Sequence, residues 1–481
     1  MRVVLRGVGV GRLAAAAVAA LVLGVWVGSS NGGTTAGHAA GNDWTRFGWS
    51  PSRSSAPTFA TGIRAGRLAG LQRQQVQIGG TADSSPIYLH DVAVGGKTHD
   101  VFFVTTTYGK TVAVDAASGA VLWTFTAPGY SSWAGSPQIT TATPVADPSR
   151  SAIYAASPGG SIFKLSVADG RVLWSVSVTK LPSREKIAAS LNYFGGKVIV
   201  TTGGYIGDAP PYQGHVAVIS AASGKLLHVW NSLCSNRRGV LAPASCGASD
   251  SAIWGRAGAV VDPANGHLLV ATGNGPWDGR TNWGDAVLRL DANATRVLGN
   301  YTPANTAELE AQDIDLGSTS PVILGGGYIA QGGKDGKIRL LSQRRMAGTR
   351  PHKGGELSTV STPSGTDLFT APAVLRTKSS VWLFAADNGG TAAYRLKNGH
   401  LAFAWRNDTS GTSPVVAGGL LYVASPDGGL YVYTPFAGRR VARLTTGNGH
   451  WNSPIVVDGR IALPEGNAND HATSGYLDIW R

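Results

Sequence analysis

The sequence predicts an all-β, eight-bladed β-propeller, on two observations. The first is composition: 66 Gly, 24 Pro and 14 Trp among 481 residues suit many short strands joined by tight turns, and no long segment carries a helical apolar period. The second is a unit that recurs eight times: a Ser/Thr-Pro or similar entry, two strands, a Gly turn, a third strand, then a turn leading to a Trp or another apolar residue. From Trp44 to Arg481 this gives about 55 residues per copy, normal for blades that carry insertions. Closure into a ring removes free sheet edges, so the span 44–481 is expected to be one domain.

In order, the first copy enters at Ser85-Pro86 and ends at Trp123; the second runs from Thr143-Pro144 to Trp174. The third starts at Ala189-Ser190 and, after an insertion around Asp208, ends at Trp230. The fourth spans Ser251 to Tyr301. The fifth enters at Ser320-Pro321 and is followed by a basic, polar loop over 343–367; the sixth runs from Ala371-Pro372 to Trp405. The seventh enters at Ser413-Pro414. The eighth enters at Ser453-Pro454 and stops after Trp480 without a final strand. A strand from the N-terminal side must complete it, either from the segment after Asp43 or from Leu68 to Ile78.

Arg2, Arg6 and Arg12 precede the apolar run Leu13–Val27 and a stretch of small residues, the layout of a secretory signal, with cleavage after Ser30 or Ala39. Residues 1–39 are therefore expected to be leader and linker and the mature protein to be extracytoplasmic. An uncleaved anchor is the alternative, although the run is short for a membrane span. The formal net charge is +13, compatible with anionic partners, but the basic residues are scattered without aromatic interleaving, which argues against nucleic acid. Cys234 and Cys246 are the only cysteines. In an exported chain they are expected to pair, and with no Cys-x-x-Cys-His the chain cannot attach haem covalently.

The fourth copy departs most from a plain repeat. Ala259-Val260-Val261 and Leu268–Ala271 flank the turn Asp262-Pro263-Ala264-Asn265-Gly266, a hairpin pattern. After Thr272-Gly273-Asn274 the run Gly275–Gly284 supplies Gly, Pro, Trp and Asn before Asp285 and the alternating Val287–Leu290. An amide and a carboxylate thus end neighbouring strands. Asp208, the only carboxylate of the third-copy insertion, adds a third oxygen donor of the kind a hard cation needs; each could equally turn a loop by accepting backbone N–H groups.

At these residues the chain resembles the quinoprotein dehydrogenases, eight-bladed propellers that use pyrroloquinoline quinone (PQQ) and calcium. The Leu-Trp endings at Trp123 and Trp174, with Trp230 and Trp405, resemble that family's tryptophan-docking repeats, in which an indole lies across a turn of the neighbouring sheet. The resemblance implies Trp254 as the floor under the cofactor ring, with Ser157 presenting a hydroxyl and Lys334 facing the quinone oxygens. It also implies Asp208, Asn274 and Asp285 as calcium ligands and Asp285 as the base. The implied activity is oxidation of an alcohol, polyol or sugar, with an external electron acceptor. Two features depart from the family: Trp133-Ala134-Gly135-Ser136 stands where adjacent cysteines cap the cofactor, and no Arg or Lys lies between Ala311 and Gly333. Glu308, Glu310, Asp313 and Asp315 form an acidic patch, with Asp313 and Asp315 expected on one strand face and the patch expected to solvate a blade entrance. The competing reading is a cofactor-free propeller that binds an envelope protein partner.

Overall fold

The computed structural model describes residues 41–481, so the leader assigned to 1–39 lies outside the described residues. Among the described residues no helix is long and apolar enough to cross a membrane. Eight antiparallel four-stranded sheets form the molecule. Seven are contiguous in sequence, over 87–126, 145–177, 192–231, 260–301, 322–361, 373–407 and 415–444. The eighth combines Ile455–Val457, Arg460–Pro464 and Tyr476–Trp480 with the strand Arg73–Gln77. That strand pairs antiparallel with Tyr476–Trp480, Arg73 opposite Trp480 and Gln77 opposite Tyr476.

Within each blade burial falls from the inner strands outward. Ala152–Ala156 is buried throughout, whereas the fourth strand of the same blade, Val172–Ser177, alternates half-buried and exposed positions. The core is correspondingly a series of layers between blades. One joins Phe103 and Ala113 of the first blade to Ile153 and Leu165 of the second, and another joins Tyr88 and Phe102 to Ile461 and Ile479 of the last. Burying both faces of the inner strands explains their nearly unbroken apolar runs.

Three of the four repeat tryptophans dock on the next blade. The Trp123 indole N–H donates to Val167 O at 2.9 Å, Trp174 to Ala221 O at 3.1 Å and Trp405 to Pro435 O at 2.8 Å. Each ring covers a turn glycine with positive φ, Gly170, Gly224 and Gly438, where a Cβ would stand 2.6–2.7 Å from the indole. Trp230 is instead buried in the core layer between the third and fourth blades. Gly170→Ala combines left-handed strain with an indole clash and is expected to cost about 1–3 kcal/mol. Urea unfolding measures this, and an unchanged midpoint would contradict the docking role.

The segment after Asp43 does not complete the last blade. It crosses the inner strands of several blades, so that one short peptide ties the ring together. Trp44 exchanges backbone hydrogen bonds with Tyr88 at 2.8 and 2.9 Å. The carbonyls of Thr45, Pro51, Ser54, Ser55 and Thr61 accept from Ala146, Val261, Val374, Val416 and Gly459. Arg53, buried, donates to the carbonyls of Phe47 (2.7 Å), Ser190 (3.1 Å) and Leu191 (2.8 Å).

Cys234 and Cys246 form a disulfide with Cα atoms 6.0 Å apart. The loop it closes braces the fourth-copy insertion: the Cys234 N–H donates to Asn282 Oδ1 at 3.1 Å and the Trp283 indole N–H to Ser235 Oγ at 3.1 Å. Reduction is expected to lower stability by about 3 kcal/mol on the loop-entropy account. Unfolding midpoints with and without reductant check the value, and equal midpoints would contradict it.

Candidate active site

A cavity of about 660 Å³ is walled by loops from several blades, a volume suited to a cofactor or small ligand. Trp254 lines it and stacks against Trp451, the centroids 5.9 Å apart with planes at 28°, and Phe369 lies 5.9 Å from Trp254 on a 34° tilt. Lys334 Nζ stands 6.0 Å from the Trp254 ring and pairs with Asp315 at 2.5 Å and Asp313 at 3.6 Å. Those carboxylates outweigh burial and hold the Lys334 ammonium above its ordinary range.

The fourth-copy insertion folds as a hairpin because Asp278 gathers the N–H groups of Arg280, Thr281 and Asn282 at 2.7–2.9 Å. Gly284 packs so closely on Gly275 that a Cβ would overlap the Gly275 carbonyl. The loop thereby returns the chain so that the Asp285 N–H donates to Gly273 O at 2.9 Å. Asn274 and Asp285 end neighbouring strands, as the sequence predicts. Asp285 is 0 % exposed; its Oδ1 accepts from the Leu316 N–H at 2.9 Å and its buried Oδ2 has no partner among the described residues. Asn274 donates from Nδ2 to Leu309 O at 3.0 Å while its Oδ1, also buried, has no partner among the described residues.

Asp315 links these residues to the cavity. It lines the wall, and its Oδ1 accepts from the Asn274 N–H at 2.8 Å, so closely above Gly273 that a Cβ there would overlap it. Burial pushes the Asp285 carboxyl up to about 8, opposed by the Leu316 N–H and Lys334 and reinforced by Asp315 and Glu310. Burial likewise raises Asp315, although Lys334 and the Asn274 N–H pull it down.

Of the predicted residues, Trp254, Lys334 and Asp208 share the cavity wall. Asp208 is on an exposed loop, where its Oδ1 accepts from the Tyr212 hydroxyl at 2.8 Å. Asn274 and Asp285 lie behind the wall, and the closing of the insertion on itself is what withdraws them. Ser157 is not at the rim: it is 2 % exposed, in the tight turn where its N–H donates to Ser161 O and its Cβ packs near Gly109. Trp133, at the place of the family's adjacent cysteines, packs into the core between the first two blades and donates to Tyr108 O. The ring facing Trp254 is instead Trp451. The acidic segment is no strand. Thr306–Ala311 is a helix, and Asp315 precedes the short 3₁₀ turn Leu316–Ser318. Of its side chains only Asp315 turns inward, as described; Glu308, Glu310 and Asp313 are exposed, and Glu310 also accepts the Gly275 N–H.

Sequence reasoning missed Lys186, His450 and Trp451, all on the same wall. The only available hint was His450-Trp451 interrupting the entry of the last copy.

The fold and this cavity define an eight-bladed propeller of the quinoprotein type, as the repeats predict. The PQQ_2 family model, described as outer membrane protein assembly factor BamB, matches residues 64–242. Polyvinylalcohol dehydrogenase of Pseudomonas sp is 24% identical over 289 residues, 54% of this chain and 43% of that protein. The enzyme of the same name from Sphingopyxis sp. (strain 113P3) is 26% identical over 212 residues, 41% and 31% of the two chains. The chain thus spans less than half the length of these curated relatives. Among solved structures, quinohemoprotein alcohol dehydrogenase from Comamonas testosteroni superposes with a TM-score of 0.65 at 14% identity, over 91% of this chain and 80% of that one. A europium-containing methanol dehydrogenase gives 0.66 at 13% identity, over 91% and 98%. The chain is thus similar in part of its sequence to polyvinylalcohol dehydrogenases and shares its propeller fold with quinohemoprotein alcohol dehydrogenase.

Proposed function

We propose that the protein is an exported dehydrogenase that oxidises an alcohol, polyol or sugar hydroxyl, using PQQ with calcium and passing electrons to an external acceptor. The observation that carries this reading is the pair of orphaned buried oxygens, Asn274 Oδ1 and Asp285 Oδ2. Buried acceptors without donors are costly, and a hard cation bound at them would offset that cost. The relatives' names, alcohol dehydrogenases and polyvinylalcohol dehydrogenases, agree with it.

When bound, PQQ with calcium supplies the hydride acceptor. The chain's own residues do the rest. Trp254 offers a flat apolar surface, and Asn274 and Asp285 supply oxygen ligands. Asp208 supplies a carboxylate at the mouth, and the Lys334 ammonium faces the ring site. The hydroxyl proton goes to Asp315, on the wall, and Asp285, behind it, whose carboxyl burial raises most, with the Asp315 charge adding to the rise. Ser157 has no part in this arrangement because its side chain is buried in a turn.

The BamB-like scaffold reading accounts for the repeats of 64–242 but leaves the orphaned oxygens and the cavity lysines without a role. The deciding experiment titrates the purified protein with PQQ and calcium by absorbance, then offers alcohols with an artificial electron acceptor. Saturable, calcium-dependent binding with dye reduction is expected. No binding at any calcium concentration would remove the dehydrogenase reading.

A further inference from the structure

Trp254 and Trp451 form a stacked pair whose two ends differ in charge. At the Trp254 end stand Asp313 and Asp315 with Lys334. At the Trp451 end the cations prevail. Lys186 Nζ lies 5.5 Å and the Arg256 guanidinium 5.6 Å from the Trp451 ring, and the His450 imidazole stacks on the same ring at 4.4 Å. Asp83, fully buried, is the acid of this group and is already engaged. It accepts from His450 Nδ1 at 2.6 Å and from the Trp451 N–H at 2.5 Å. Arg256 is also committed, donating to the carbonyls of Thr141, Ala188 and Asp83 at 2.8–3.2 Å.

Lys186 is different. It is 7 % exposed and lines the cavity, yet among the described residues its Nζ has no hydrogen bond or ion pair. An unpaired ammonium buried this deeply is costly, and an anion delivered from the cavity offsets that cost. The other ring nitrogen of His450 is a second group without a protein partner among the described residues, because Asp83 fixes only Nδ1.

We infer that Lys186 and His450 form a carboxylate-binding subsite at the Trp451 end of the cavity, built to take the acidic edge of a flat ligand lying along the two indoles. Burial pushes the Lys186 ammonium down to about 8, with Asp83 raising and Arg256 lowering it, so a bound carboxylate would raise it again. The inference rests on the proposed reading, since PQQ is a flat tricarboxylate; a substrate carboxylate has the same chemistry.

Quenching of intrinsic tryptophan fluorescence separates the two sources. The purified protein and its Lys186→Met and Lys186→Arg variants are titrated with PQQ plus calcium, with the PQQ trimethyl ester, and with citrate. Lys186→Met is expected to weaken PQQ binding about tenfold or more, ~1.4 kcal/mol, and Lys186→Arg to stay within about threefold of wild type. The ester should not distinguish the proteins. Cooperative urea unfolding of the Met variant confirms that it folds. Equal affinities of wild type and Lys186→Met for both PQQ and citrate, or binding of neither by the wild type, would overturn the subsite. PQQ binding that ignores Lys186 overturns the subsite and keeps the quinone reading. Citrate binding that depends on Lys186, without PQQ binding, keeps the subsite and removes the quinone.

Discussion

Asp285→Asn is expected to lower alcohol-dependent dye reduction by about 10²–10⁴-fold, the usual worth of a positioned proton acceptor, while PQQ binding by absorbance changes little. The amide keeps an oxygen that can ligate a cation, but it cannot hold the proton. Because Asp315 and not Asp285 reaches the wall, Asp315→Asn should cause a comparable loss. It should also deprive the Lys334 ammonium of its nearest countercharge and so weaken ring binding. Asp208→Asn, on an exposed loop, should be the mildest of the three. Full turnover in Asp285→Asn would sink the coupled-carboxylate assignment, and full turnover in Asp315→Asn would return the whole role to Asp285.

Arg53→Met is expected to destabilise the protein by about 3 kcal/mol or more, because it leaves buried carbonyls without donors and each such loss costs about 1–3 kcal/mol. The affected carbonyls belong to Phe47, Ser190 and Leu191, so the loss uncouples the N-terminal segment from the third blade. Methionine keeps most of the apolar stem, which limits the effect to the missing guanidinium. A substantially lower urea midpoint is the expected measurement; a midpoint equal to wild type would show that water replaces the guanidinium and that the segment does not brace the ring.

Much of the fold was legible because a blade is a local object. Alternating runs, Gly turns and the Leu-Trp endings of the first two copies lie within a few tens of residues of one another, and strand pairing inside seven of the eight sheets follows chain order. The Asn274 and Asp285 pair was legible for the same reason: one hairpin and one insertion put both at strand ends.

What lay beyond the sequence were the choices made between blades. Two N-terminal segments could have completed the last sheet. Only the assembled ring assigns Arg73–Gln77 to Tyr476–Trp480 and sends Trp44–Thr61 across the inner strands, because the selecting contacts join residues hundreds of positions apart. The acidic segment read as a strand by its spacing, yet Thr306–Ala311 coils, and of its carboxylates only Asp315, past the helix, is buried, where the Asn274 N–H and Lys334 satisfy it. Ser157 follows a strand end as predicted, but packing against its neighbouring turns leaves the residue only 2 % exposed. Lys186, Arg256, His450 and Trp451 carry no shared local pattern. They meet because the ring brings the third, fourth and last copies to one axis, where the desolvation of a lysine is a property of the assembly and not of any stretch of chain.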